Sequence, residues 1–285
     1  MLDRRLSPEE HEEYGKLAIN LASQLKQDLD QVMQVRQEAN TRDYTVFHPS
    51  AVGKCLRKQV LQSLAPSDRK EHFQSQVLRK FDNGHYYHSR LLQEMQEAGY
   101  IVKDELGLKN PEVNSGGHTD QLCLANIPGY GGLLFLVEAK SMNSNGFKDA
   151  VANGISQDYK DQLMVYLHLT GLTIGMFVCE NKDNQDRLYT PLIYDRDTAL
   201  ALIDKAKSFN EHVAARTVPP IPQGFNPYAT SVVSNKECFY CGLKDLCRAN
   251  IEGKWKVGDA TIVAPTSEEK SSAFLNKFKA PKKKG

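Results

Sequence analysis

The sequence predicts an α/β fold: a central mixed sheet with helices packed on both faces, preceded by a helical arm and followed by a cysteine-bearing segment. Three observations predict it. Apolar residues recur at helical spacing over long stretches near 8–38, 157–169 and 197–215. Between about Tyr100 and Val137 lie three strand-like stretches separated by Asn, Gly and Pro, of which Leu133 to Val137 is a continuous apolar run suited to a buried central strand. A further apolar strand, Thr173 to Glu180, follows the helical stretch at 157–169, so the order is helix, three strands, helix, strand.

Each element has its own local reason. Ser7-Pro8-Glu9-Glu10 opens a helix, with Ser7 as cap, Pro8 at the first helical position and Glu10 placed for a capping box. Tyr14, Leu17, Ala18, Leu21, Leu25 and Val32 then form one apolar stripe, expected to dock the arm on the rest of the chain; the alternative is a helix that binds a partner. His48-Pro49 breaks the pattern, and Ser50 is expected to cap a short helix carrying Cys55, Arg57, Lys58, Val60 and Leu61. A further helix is expected from Asp68 to Ala98, with a break near Asn83-Gly84, Leu91, Leu92 and Met95 on its buried face and Gly99 at its end. After Glu180, a polar turn at Asn181 to Asp186 leads to a pairing strand at Arg187 to Tyr194, and Asp197 to Ala215 is a last long helix. Pro219-Pro220-Ile221-Pro222 forms a stiff lead into the final cysteines, and the lysines from Lys277 to Lys284 make a basic tail without apolar periodicity, expected to be disordered. The resulting division is an arm at 1–48, a central domain at 49–250 and an extension at 251–285.

Composition sets limits. At 285 residues and 40% hydrophobic, the chain can bury one substantial core with additions. A net charge of +1 supplies no global field toward nucleic acid, so any such binding must come from a local basic face. No apolar run approaches the roughly 18 to 20 residues of a membrane span, and Met1 to Glu13 is charged where a signal peptide is apolar. A cytoplasmic protein with no membrane partner is the expectation. Six cysteines are too sparse for a disulfide scaffold, and in a reducing compartment clustered cysteines read as metal ligands.

Four of those cysteines form a pattern: Cys55 alone, then Cys238, Cys241 and Cys247 as C-x2-C-x5-C. A lone cysteine with a three-cysteine loop fits a four-thiolate cubane iron–sulfur cluster better than paired zinc knuckles, with zinc and unliganded thiols as the other readings. Cys123 and Cys179 sit among apolar strand residues and read as core. Asp120 follows Gly117-His118-Thr119, and Glu138 and Lys140 end the apolar strand; alternation presents Glu138 and Lys140 on one side. With Asp120 on a neighbouring strand, two carboxylates meet beside a lysine, a set suited to Mg2+ or Mn2+. An isolated E-x-K is more often a surface salt bridge. His88, on a helix before Leu91 and Leu92, is either a packed residue or a third ligand. Gln162 and Tyr166 share a helical face, as a polar boundary or as supports for Lys140.

Together these motifs resemble the PD-(D/E)XK nuclease superfamily, specifically the RecB-like iron–sulfur exonuclease group that includes the CRISPR-associated RecB-like exonucleases and the AddB nuclease domain. The resemblance covers roughly Pro49 to Arg248: C-x-R-K at Cys55, Arg57 and Lys58, G-x-x-x-H at Gly84 and His88, G-x-x-D at Asp120, E-x-K at Glu138 and Lys140, Q-x-x-x-Y at Gln162 and Tyr166, and the terminal cysteines. It departs from the group at Leu56, where a proline is common, and in the long helix before Asp43. The resemblance implies a restriction-endonuclease-like core. It implies that His88, Asp120, Glu138 and the carbonyl of Ala139 bind Mg2+ or Mn2+, that Lys140 is catalytic with Gln162 and Tyr166 in support, and that the four cysteines hold a 4Fe-4S cluster.

The function expected is therefore a divalent-metal-dependent DNA exonuclease, phage- or mobile-element-borne or serving CRISPR adaptation. Arg57, Lys58, Arg79 and Lys80 are the expected DNA contacts. With no G-x-x-x-x-G-K-[ST], the chain cannot drive unwinding, so DNA ends or single strands are the expected substrate, and a helicase, a single-strand-binding protein or another replication or recombination protein the expected partner. The rival is a catalytically silent DNA- or protein-binding module that keeps the fold and the cluster.

Overall fold

The computed structural model describes residues 7–39, 42–66 and 73–259. The basic tail, with Phe274, Leu275 and Phe278, lies outside the described residues. In chain order the helices are α1 (Pro8–Ala39), α2 (Leu56–Leu64), α3 (Ser75–Glu97), α4 (Ser144–Asn153), α5 (Gln157–Thr170), α6 (Arg196–Ala214), α7 (Val232–Phe239) and α8 (Lys244–Ile251). The strands are β1 (Ile101–Asn110), β2 (Ser115–Ile127), β3 (Gly131–Met142), β4 (Ile174–Asn181) and β5 (Arg187–Ile193). Two compact units result, one drawn from Met1–Arg42 and Phe73–His85, the other from Asp43–His72 and Tyr86–Gly285.

In the first unit, α1 is one unbroken helix opened by the expected capping box: Ser7 N donates to Glu10 Oε2 at 2.8 Å and Glu10 N to Ser7 Oγ at 3.2 Å. Its docking is the reverse of the expectation. The start of α3 is held by polar groups of α1: Gln34 Nε2 donates to Phe73 O and Ser75 Oγ, both at 3.1 Å, Ser75 Oγ donates to the Asp30 carbonyl at 3.2 Å, and Arg79 pairs with Asp30. At 100° per residue, Asp30, Gln34 and Gln37 lie on the side opposite the apolar stripe, which is left exposed. The arm is thus not alone, since Phe73–His85 packs with it. The break expected at Gly84 does not occur. A Cβ there would meet nothing within 4 Å, so the glycine is not demanded by packing and α3 runs through it.

In the second unit the strand order is β1-β2-β3-β4-β5, with β2 antiparallel and β4 parallel to the central β3. This is the α/β, mixed-sheet core that the sequence predicts. One face carries the later part of α3, where Tyr87 and Leu91 cover Cys123, Val137, Ala139 and Val178. The other carries α4 and α5, where Leu163, Tyr166 and Leu167 pack on Leu136, Phe177 and Cys179. Behind α5, α6 joins the end of the Phe47 loop and α2 through Phe209, Ile203, Phe47 and Val60.

Three local expectations need correction. The buried stretch of β3 is Leu136–Ala139 rather than Leu133–Val137, because the first residues of β3 pair with the end of β2 in a hairpin where Leu124 and Leu134 are exposed. Ser50 lies inside a single 3-10 turn at 49–51, and Cys55 instead stands at the N-cap of α2. The helix α4 was not foreseen, although Asn143 caps it through Gly146 N at 2.8 Å. After Pro222, the segment folds as α7 and α8, and Leu243 and Trp255 bury against Leu61 and Ala65 of α2 and its end. Among the described residues no helix is long and apolar enough to cross a membrane.

Candidate active site

The β2–β3 ladder ends with the pair Gln121–Val137. Ala139 N therefore has no strand partner on that side and donates to Asp120 Oδ2 at 2.7 Å instead. One more pairing step would have satisfied that N–H with backbone; stopping short locks a carboxylate across the strand end. Glu138, 2% exposed, accepts from Lys140 Nζ at 2.6 Å and from Gln162 Nε2 at 2.9 Å, both on Oε1. Its Oε2 is buried with no hydrogen-bond partner. Such an orphaned oxygen costs about 1–3 kcal/mol or more when the group is charged, so a ligand that satisfies it gains that amount.

Around this pair the structure gathers the other predicted residues. Gln162 Nε2 also lies 3.4 Å from Tyr166 Oη. His88 Nδ1 stands 3.4 Å from Asp120 Oδ1. Gly117, the glycine of G-x-x-D, is there for space: a Cβ would come within 3.2 Å of both Tyr166 Oη and Pro49 Cδ. The residue that sequence reading missed is Tyr159, whose ring lies 4.6 Å from Lys140 Nζ. Its spacing of three and seven from Gln162 and Tyr166 on α5 was the available signal.

Burial pushes the Glu138 carboxyl up to about 7, against the pull of the Lys140 ammonium, with Asp120 adding to the rise. For Lys140, burial works downward, but the Glu138 carboxylate outweighs it and the net direction is up. One shift favours a neutral acid and the other a charged pair. The 2.6 Å contact is that of an ion pair: above about pH 7 Lys140 stands as an ammonium beside an ionised Glu138, and below it the carboxyl is neutral. The Asp120 carboxylate raises His88 by hydrogen bonding, against the opposing effect of burial.

Among the described residues, no three His, Cys, Asp or Glu side chains stand close enough to hold a metal ion as they are. The donor set nevertheless suits a hard cation. Each carboxylate has one oxygen tied by a short hydrogen bond and one less committed: Glu138 Oε2, which has none, and Asp120 Oδ1, with its longer approach to His88.

The cysteine pocket lies elsewhere in this unit. Cys55, Cys238, Cys241 and Cys247 all line one cavity, with Lys58, Ile221 and Phe225 on its walls. Burial raises the Cys55 and Cys238 thiols. Arg57, expected to contact DNA, instead is buried at 5% exposure and spends its guanidinium inside the protein. Its Nε donates to Cys247 Sγ at 3.1 Å, and its other nitrogens donate to Pro219 O and Asn250 Oδ1. Lys58 is half-buried at the same cavity. Arg79, paired with Asp30, and Lys80 are exposed on α3 in the first unit.

No protein-family model matches this sequence, and no curated protein matches it. Among solved structures it is similar to the alkaline exonuclease LHK-Exo from Laribacter hongkongensis in complex with dAMP, at 17% identity, over 60% of this chain and 89% of that one, with a TM-score of 0.47. It is also similar to SSO0001, at 15% identity, over 79% and 96%, with a TM-score of 0.49. A phage-related exonuclease from Haemophilus somnus 129PT is similar at 10% identity, over 63% and 98%, with a TM-score of 0.38. All are distant.

Proposed function

We propose that the protein is a divalent-metal-dependent DNA exonuclease whose working residues are Asp120, Glu138 and Lys140. The observation that carries the reading is the unsatisfied Glu138 Oε2, buried beside a lysine and one strand away from a second carboxylate. Most buried polar atoms are hydrogen-bonded, and the cost of leaving one unpaired is larger for a carboxylate oxygen than for a neutral group, which favours a ligand at this position. Asp120, Glu138, His88 and the Ala139 carbonyl would hold Mg2+ or Mn2+.

Such an ion, when bound, neutralises charge on the phosphoryl group and acidifies the attacking water, supplying what side-chain acid–base help of about 10^2 to 10^4-fold cannot. The chain's own groups do the rest. Gln162 and Lys140 fix Glu138 Oε1, which leaves Oε2 as the uncommitted oxygen. Ala139 N holds Asp120 at the strand end. Lys140, steadied over Tyr159, presents an ammonium to orient the attacking water or to contact a phosphate oxygen. Digestion of DNA labelled separately at each end, single- and double-stranded, with manganese present, tests this reading. Shortening from an end that disappears in Glu138→Gln supports it; intact DNA of every form would leave the binding-module reading in its place.

The same reading assigns a four-thiolate iron–sulfur cluster to Cys55, Cys238, Cys241 and Cys247. What supports it is Arg57. A buried guanidinium requires a counter-charge, and the partners found for it are a carbonyl, an amide and a sulfur, none of them a carboxylate. Thiolates would supply that charge. Iron and sulfide analysis of anaerobically prepared protein decides between iron–sulfur and zinc.

A further inference from the structure

The apolar stripe of α1 has no role in the site just described, and its own unit leaves it uncovered. Leu21, Leu25 and Leu29 are 59%, 51% and 58% exposed, while the polar side of the helix is the side that holds α3. Contiguous apolar surface of this kind marks an interaction site. We propose that α1 pairs two copies of this chain, antiparallel, about a two-fold axis at Leu25. This stands independently of the activity proposed above.

Two properties of the stripe select a second copy as its occupant. The first is symmetry. Tyr14, Ala18, Leu21, Leu25, Leu29, Val32 and Arg36 follow one another at intervals of four, three, four, four, three and four, a pattern that reads identically from either end. Antiparallel pairing about Leu25 therefore seats Leu25 on Leu25, Leu21 on Leu29 and Ala18 on Val32, the self-complementary contact that an isologous dimer requires. The second is charge. In this register Arg36 of each copy meets Tyr14 of the other, a cation against an aromatic ring, while the strong charges Lys26 and Asp30 point away on the α3 side. Parallel pairing would instead set each stripe residue against its own copy and so Arg36 against Arg36.

Sedimentation equilibrium of the full-length protein at micromolar concentration is expected to give twice the 32.0 kDa chain mass. Leu25→Glu, which places two carboxylates on the axis, is expected to give the monomer. Ala18→Glu and Val32→Lys should each weaken the dimer at least about tenfold, and the double variant should recover it, since every Glu then faces a Lys. Circular dichroism should be the same for all, because each position is on the exposed side of α1. A wild-type monomer, a Leu25→Glu dimer, or a double variant weaker than either single one would overturn the proposal. The last result would indicate parallel pairing, and the first would leave the stripe to the second unit of the same chain or to a different protein.

Discussion

The carboxylate pocket and the cysteine pocket belong to the same unit and are built on opposite principles. At the sheet end, Lys140 and Gln162 hold Glu138 and the Ala139 N–H holds Asp120, by hydrogen bonds of 2.6 to 2.9 Å, with one Glu138 oxygen left over. In the cysteine pocket the four sulfurs share a cavity, and Arg57 reaches Cys247 Sγ with a hydrogen bond of 3.1 Å. Backbone geometry prepares the first site before any ligand arrives. The second is assembled from residues near both ends of the chain, and an apolar cluster around Trp255 holds those segments together. A catalytic site benefits from being rigid before its substrate binds, whereas a structural site can let its ligand complete the geometry.

The largest expected effect separates chemistry from folding. Glu138→Ala and Lys140→Ala should each lower DNA cleavage by about 10^2 to 10^3-fold, with melting temperatures at or above the wild-type value in Glu138→Gln, where the buried charge is gone. Parallel digestion and thermal melts check this; a Glu138→Ala protein that cleaves normally removes the basis for the proposed site. On the other side of the comparison, Trp255→Ala should destabilise the unit by about 3–5 kcal/mol. Cys238→Ala should do no more than bring the loaded protein down to the stability of its cluster-free form. If Cys238→Ala unfolds the protein while Trp255→Ala does not, the sulfurs and not the apolar cluster are the clasp.

A smaller effect depends on pH. In metal-free protein, the Glu138 carboxyl is raised from its ordinary 4.5 to about 7. Its neutral form is the one the fold favours, so its contribution is complete below about pH 4.5 and is lost as pH rises through about 7. Thermal melts of metal-free protein should show this decline, Glu138→Gln should flatten it, and Mn2+ should oppose it at the upper end because the ion competes with the proton. Smallest of all, Tyr159→Leu removes a ring worth about 0.5–2 kcal/mol to the ammonium. Cleavage should fall about 2- to 30-fold by the same measure, with Tyr159→Phe close to wild type. Equal losses from Phe and Leu would place the role in the phenol oxygen.

Much of the fold was written in short-range signals. The capping box at Ser7, the apolar run of β4 and the helical spacing of α5 each depend on neighbours in sequence, and each appears where expected. The misses have a common cause in distance along the chain. The stripe of α1 gave the right helix but the wrong docked side, because which face meets α3 is decided by Gln34 and Asp30 reaching 39 to 49 positions away. Arg57 looked like a surface cation because nothing nearby pairs with it; its partners are 162 to 193 positions distant. Glu138 could be placed beside Lys140 by strand alternation alone, whereas its unsatisfied oxygen depends on Gln162 and on where the β2–β3 ladder stops.

The contact between Arg57 and Asn250, 193 positions apart, also has a consequence in time. A ribosome adds about 5 to 20 residues per second, so roughly 10 to 40 seconds separate the emergence of α2 from that of α8. During that interval Leu61 and Ala65 have no Leu243 or Trp255 to cover them, and Arg57 has neither Asn250 nor Cys247. The sheet, whose five strands all lie between 101 and 193, can pair meanwhile. The nascent chain therefore presents a formed sheet beside an apolar patch on α2 that waits for its cover, and a stall or truncation shortly before Leu243 would leave that patch open to aggregation.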